Sequence, residues 1–345
     1  MNDTELQLLV GDQLFGGWTS IDVRLGVERM ANTFDLGLVD KTADFIGDRP
    51  IRRGQACTVR IGKQTLITGY VDDDEAGYDA EGYRMGARGR DRTGDLVDCS
   101  ADWQSGEWSD QTLLQVAQNL CAPFSVKVTD TSGVTTKLPT WQIQPGETVA
   151  ENLQRAARVI GVLLIADGKG GLRIAKASRQ RIATPLQGGV NIVAPSARRS
   201  FLDRFSHYQI VGQQPMSGTT GYNENATEVS GTASDAAIGR HRPLKVVADD
   251  NLTPEMSQQR ADWEKRVRAG RSLQVSITVA DWWHADGLWL PDRIVAVRDD
   301  VIDVDQDLYI SDVQYLLDES GRRAVLSLTL PEAFDVIPIP DSSVI

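Results

Sequence analysis

The side chains of this chain that could do chemistry are dispersed. Its three histidines, His207, His241 and His284, stand far apart. No G-x-S-x-G elbow and no H-E-x-x-H helix places a nucleophile or a metal pair beside them. A triad is defined by mutual geometry, and no spacing here suggests one, so the histidines read as surface or core residues. Asp303-Val304-Asp305-Gln306-Asp307 opens like an acidic calcium loop. That loop needs Gly at its sixth position and Glu at its twelfth, where this chain has Leu308 and Gln314, so a solvated hairpin turn is the reading. Gly168-Lys169-Gly170-Gly171 lacks the Ser/Thr and the strand-to-helix context of a phosphate loop and reads as a turn. Trp282-Trp283-His284 with Trp289 has the composition of a sugar platform, but strand-end packing or a subunit contact is the preferred reading.

The charged clusters are equally plain. Asp72-Asp73-Asp74-Glu75 reads as a solvated turn, with a patch of negative potential along a channel as its functional alternative. Arg88-Gly89-Arg90-Asp91-Arg92 is the one local basic cluster, and Asp91 and Asp95 argue for local ion pairs there. A carboxylate pair of a wall-degrading glycosidase is the main enzymatic rival. The acids sit mainly in turn contexts, however, and no helix-rich lysozyme-like domain is visible. No catalytic, cofactor-binding or metal-ligating residue is assigned.

Composition narrows the class. The chain has 345 residues, a length that favours two to four domains. With 48 acidic against 36 basic residues the net charge is −12, which argues against gripping nucleic acid by its phosphates. It leaves open a protein past which nucleic acid slides. Cys57, Cys99 and Cys121 show no metal spacing and read as reduced thiols. No basic start with an apolar run marks a signal peptide, and no apolar stretch reaches membrane-spanning length, so assembly in a host cytoplasm without stable membrane binding is expected.

The elements that must position these residues are mostly strands. Ile21, Val23 and Leu25 alternate along one strand, and Phe34, Leu36 and Leu38 along the next. Residues 58–71 read as a hairpin and 83–90 as another strand. After Ser100, Ser109 or Asp110 is placed to cap a helix carrying Leu113, Leu114, Val116, Ala117 and Leu120. Thr148-x-x-Glu151 matches a capping box, with Leu153, Ala156, Ala157 and Ile160 as the buried stripe and Gly161 as the stop. Strands at 162–165 and 172–175 flank the glycine turn. Residues 213–240, poor in large apolar side chains, read as a flexible loop or a segment ordered by a partner. Thr253-Pro254-Glu255 starts a helix running to Gly270, expected to bury Met256, Ala261, Trp263 and Val267. Strands at 273–279, 293–297, 308–313 and 324–330 follow. The last three echo 59–61, 67–71 and 83–85 in order and type, as two copies of one small barrel would.

The opening Gly17-Trp18-Thr19-Ser20-Ile21-Asp22-Val23-Arg24, the strand Leu66-Ile67-Thr68-Gly69-Tyr70-Val71, and Gly89-Arg90-Asp91-Arg92-Thr93-Gly94-Asp95-Leu96 carry a family likeness. Gln144-Pro145-Gly146-Glu147-Thr148, Arg260-Ala261-Asp262-Trp263-Glu264 and Leu326-Ser327-Leu328-Thr329-Leu330-Pro331 continue it in order. In these motifs the chain resembles the baseplate hub proteins of Mu-like contractile phages. The resemblance implies an α+β, mainly β fold: two small tail-tube-like β-barrels with an inserted α/β domain. Residues 1–98 would form the first barrel, completed by a strand within 186–212; 99–185 the insertion; 241–345 a helix, the second barrel and an extended docking tail from Pro331. It implies a virion structural protein in the tail baseplate. A homotrimeric ring would adapt the sixfold tube to the trimeric spike, contact other baseplate proteins, and leave a channel for DNA in transit. Asp72, Asp73 and Asp74 are the candidate acidic lining of that channel. The alternative is a tail-associated peptidoglycan glycosidase or a carbohydrate-binding module.

Overall fold

The structure, a computed structural model, describes residues 5–40, 51–79, 82–103, 105–214, 227–251 and 254–335. The N-terminal part is all strand: β1 (Leu6–Val10), β2 (Gln13–Phe15), β3 (Ser20–Gly26), β4 (Thr33–Asp40), β5 (Ala56–Ile61), β6 (Gln64–Asp79) and β7 (Gly82–Asp91). The insertion contains α1 (Gly94–Asp98), β8 (Glu107–Thr112), α2 (Leu113–Cys121), β9 (Val128–Asp130), β10 (Lys137–Gln142), α3 (Val149–Ile160), β11 (Leu163–Ala166) and β12 (Leu172–Ala175). Beyond it run β13 (Leu186–Gln187), β14 (Ile192–Arg199), β15 (His207–Gln214), β16 (Thr227–Ser234), β17 (Pro243–Asn251) and α4 (Pro254–Arg271). The chain returns to strands in β18 (Leu273–Val279), β19 (Trp283–His284), β20 (Gly287–Leu288), β21 (Arg293–Asp299), β22 (Val304–Asp318) and β23 (Gly321–Thr329).

The expected alternation is met. Ile21, Val23, Leu25, Phe34 and Leu36 are all buried, because period-two spacing turns every second side chain to one face. One ladder runs β14-β18-β23-β22-β3-β4-β7-β6-β5-β1-β2, with β21 on the first half of β22. The two strand-rich ends of the sequence therefore share one sheet and one core, in which Val23, Leu36 and Ile67 lie with Val295, Tyr315 and Leu326. Their joint is antiparallel pairing of β3 with the second half of β22, from Ile21 opposite Leu317 to Gly26 opposite Asp312.

This joint corrects one expectation. The strand within 186–212 was expected to complete the first barrel, yet β14 pairs antiparallel with β18 and β15 lies in a separate sheet with β16 and β17. The β3 edge is instead filled by β22, whose Val313, Tyr315 and Leu317 continue the apolar stripe of Ile21, Val23 and Leu25. β14 offers a weaker stripe, with Pro195 and Ala197 half-buried and Arg199 exposed.

The insertion has its own core around Val116, Leu120, Trp141, Leu153 and Leu172. The α3 capping box forms as expected: Glu151 N donates to Thr148 Oγ1 at 3.2 Å and Thr148 N to Glu151 Oε2 at 2.8 Å, and Gly161 closes the helix at φ +79°. For α2 the cap is Thr112, not Ser109 or Asp110, which belong to β8. Gln115 reciprocates, so the box is T-x-x-Q and the helix starts later than expected.

Part of the expected 213–240 loop is strand. Residues 227–234 pair with β15 along their whole length, while 215–226 lie outside the described residues. Large side chains are scarce there because α4 crosses close: a Cβ on Gly231 would sit 2.2 Å from the Ser257 carbonyl. α4 accordingly buries Ser257, Ala261, Glu264, Val267 and Gly270, whereas Met256 is exposed and Trp263 half-buried. Small residues let the helix approach, and Glu264 is tolerated inside because Arg260 and Arg268 both donate to it at 2.8 Å. The expected tail begins as a buried turn instead: Phe334 packs 4.8 Å from the Tyr309 ring. Residues 336–345 lie outside the described residues.

Candidate assembly surface

The acidic run is not a turn. Asp72, Asp73, Asp74 and Glu75 lie inside β6, just after Val71, where a bulge interrupts its pairing with β7. The bulge adds a residue, so the three aspartates do not share a face. Asp73 stands opposite Arg88, and Asp74 opposite the buried Ala87 on the core side. Arg90 Nε donates to Asp72 at 2.7 Å and its two terminal nitrogens donate to Asp98, which raises the guanidinium pKa and lowers that of Asp98. Asp74 accepts from the Arg53 backbone N–H at 3.0 Å and from Arg53 Nη1 at 3.1 Å.

Asp73 belongs to a wider polar surface. One row crosses five strands, with Leu316, Asp22, Asp35, Arg88 and Asp73 each facing the next. Arg88 donates to Asp35 at 2.8 Å, Gln314 to Asp22 at 2.9 Å, and Arg29 to Asp312 at 2.8 Å. Sequence reasoning singled out the consecutive acids. It missed this row because its members are far apart in sequence and meet only through the strand register.

The local basic cluster behaves differently from expectation at Asp91. Rather than pairing with an arginine, this carboxyl is buried and accepts the backbone N–H groups of Asn32 (3.1 Å) and Thr68 (3.4 Å). Burial outweighs those bonds and pushes its pKa up to about 7.

The remaining chemical candidates stay apart. Trp282 and Trp289 are buried in the core, and Trp282 Nε1 donates to the carbonyls of Leu316 and Arg323, so no exposed tryptophan platform forms. Burial lowers the pKa of His284, whose ring lies 4.7 Å from that of Trp289. The acidic loop is the β21–β22 turn, where Asp299 accepts the N–H groups of Val301 and Ile302, Asp303 sits at φ +51°, and Asp307 pairs with Arg181. The glycine turn joins β11 and β12, with Asp167 accepting the N–H groups of Lys169 and Gly171, and its Gly168 carbonyl accepts the Thr68 hydroxyl at 3.0 Å. Cys57 and Cys121 are buried and pushed up to about 12, while Cys99 is exposed. Among the described residues no cluster of His, Cys, Asp and Glu could hold a metal, and no helix is long and apolar enough to cross a membrane.

What the molecule does build is a repeat. The meander β5-β6-β7 and the meander β21-β22-β23 share their order and sense, and each has a long middle strand with a bulge, after Val71 in one and after Ile310 in the other. β4 pairs beside β7 as β18 pairs beside β23, and β3 lies outside β4 as β14 lies outside β18.

Comparison with known proteins follows the same divisions. Residues 5–91 match the N-terminal model of Mu phage baseplate assembly protein GpP-like proteins, 93–176 the second domain of baseplate hub protein gp44-like proteins, and 253–337 the fourth domain of Mu phage baseplate assembly protein GpP. The chain is 33% identical over 337 residues to the baseplate hub protein gp44 of Escherichia phage Mu, covering 95% of this chain and 88% of that one. The crystal structure of the 43 kDa tail protein of prophage MuSo2 from Shewanella oneidensis is similar with a TM-score of 0.85 at 36% identity, over 96% of this chain and 100% of that one. The tail protein from Neisseria meningitidis MC58 shares the fold, with a TM-score of 0.77 at 24% identity over 96% and 98% of the two chains. A mainly β tail-protein fold, matched along nearly its whole length to hub proteins, places this chain in the Mu-like phage baseplate hub family, as a structural component of the virion tail.

Proposed function

We propose that three copies of this chain form a ring that adapts a sixfold tail tube to a trimeric spike and leaves a central passage for DNA. The observation that carries this reading is the internal repeat. Each chain supplies two similar meanders joined through β3 and β22, so a threefold assembly would present six similar units while keeping threefold symmetry for the spike. Each meander with its flanking strands would be one small barrel-like unit of the ring, and the helical insertion would spread away from it.

The passage is assigned to the polar face across β22, β3, β4, β7 and β6, where six carboxylates (Asp22, Asp35, Asp72, Asp73, Glu75 and Asp312) stand among five arginines (Arg24, Arg29, Arg84, Arg88 and Arg90), a small negative excess. A lining with excess negative charge repels the phosphate backbone and forms few of the counterion-releasing contacts that would hold DNA. Asp73 is the member of the expected acidic trio within that face, Asp72 joins it through Arg90, and Asp74 lies on the core side. A cryo-EM map of the assembled ring tests the assignment: these carboxylates should line the lumen, and their placement on the outer wall would refute it.

A further inference from the structure

The repeat is complete inside the chain except at one joint. In the first unit Val23 pairs with Phe34, Phe34 with Gly89 and Gly89 with Val71. In the second Ala197 pairs with Val275, Val275 with Leu328 and Leu328 with Ile310. Both middle strands bulge directly after the last residue named, so β3 corresponds to β14 and β6 to β22, residue by residue. The outer edge of β3 is filled by the second half of β22. Its counterparts, the outer edge of β14 and the edge of the second half of β6 that faces away from β7, carry no strand partner among the described residues.

We propose that these two edges pair between copies: β14 of one molecule lies antiparallel on residues 73–78 of β6 in a second molecule, in the register of the β3–β22 joint. The proposal deepens the ring reading and rests on it. Transferring the register of Asp312 with Gly26, Gln314 with Arg24 and Leu316 with Asp22 sets Asp73 against Ser200, Glu75 against Arg198, and Gly77 against Ser196. The charges then match: an acidic strand meets a basic one, and Arg198 has no hydrogen bond or ion pair among the described residues. Glu75 is mostly exposed, with only a 3.8 Å approach from Arg88. On the other face Tyr78, 81% exposed, falls opposite Pro195, where the internal joint buries Ile21 against Leu317. Exposed strand edges of this length are rarely left open, and edge pairing satisfies a row of backbone groups at once. Because the two edges differ, the contact is head-to-tail and generates a ring when the rotation closes.

The test is a cysteine pair, Gly77→Cys with Ser196→Cys, in a Cys99→Ser background that removes the exposed native thiol. A Cβ at Gly77 meets nothing within 4 Å, so the substitution is sterically free. Oxidation at a concentration where light scattering shows association should give covalent dimers and trimers, and none larger, on a non-reducing gel. Arg198→Glu alone should weaken association at least tenfold, and combining it with Glu75→Arg should restore it. An assembly that forms a trimer by mass yet neither cross-links nor responds to these charges overturns the edge pairing and leaves the ring standing. A chain that stays monomeric at every concentration overturns both. Cross-linked ladders beyond three would keep the edge contact and refute the threefold ring.

Discussion

At the residue scale, the most consequential side chains are polar groups inside the fold, not groups poised to react. Asp91 faces two amide N–H groups in a site that burial keeps close to neutral, with its pKa pushed up to about 7 from an ordinary 3.8. The folded state therefore binds a proton that the unfolded chain has already released between pH about 4 and 7. Stability contributed by this group is full below that window and falls as pH rises through it. The loss between pH 4 and 8 should be on the order of a few kcal/mol, and Asp91→Asn should flatten that slope when denaturation midpoints are compared. Asp292 is a structural tie between strands and the insertion. It accepts from Arg173 at 2.9 Å, from the Ser178 N–H at 2.7 Å and from the Tyr309 hydroxyl at 2.8 Å. Asp292→Ala should cost about 3 kcal/mol by leaving these donors and the Arg173 charge uncompensated, measurable by urea unfolding. Asp91 was named in the sequence as an ion-pair partner because arginines flank it. Its neighbours in space, Asn32 just before β4 and Thr68 in β6, are distant in sequence, which local charge patterning does not reveal.

At the scale of elements, legibility followed the range of the signal. The strands around Ile21 and Phe34, the 58–71 hairpin, the α3 capping box and the echo between the two meanders were readable because period-two alternation and capping act over a few residues. The joint between β3 and β22 was not readable, since it unites residues almost three hundred positions apart through backbone pairing that either strand could offer to others. The acidic run looked like a turn because bulges carry no residue signature as firm as that of a tight turn. On α4, Ala261 and Val267 are buried as expected but Met256 and Trp263 are not, for a related reason: the packing side is made largely of small residues, suited to close approach rather than chosen for hydrophobicity. Gly231→Ala tests that directly. A new methyl pressed against the Ser257 backbone should destabilise the protein by about 1–3 kcal/mol, seen as a lowered thermal midpoint, while Met256→Ala on the exposed face should leave it nearly unchanged.

At the scale of the whole molecule, the duplicated meander gives one chain two similar units, and the helical insertion is held to them at identifiable points. Its β11–β12 turn meets Thr68, and Arg173 of β12 meets Asp292. Family membership makes the chain a structural part of the tail baseplate, and the net charge of −12 accords with a conduit that does not grip DNA. The central claim is that the repeat exists to close a ring. Its most direct measurement is the mass of the assembled protein in solution combined with a cryo-EM map of the same sample. Three copies, with six meanders arranged around an open centre, are the result this account predicts. A particle in which the meanders do not encircle a lumen, or a chain that remains monomeric at every concentration, would contradict it.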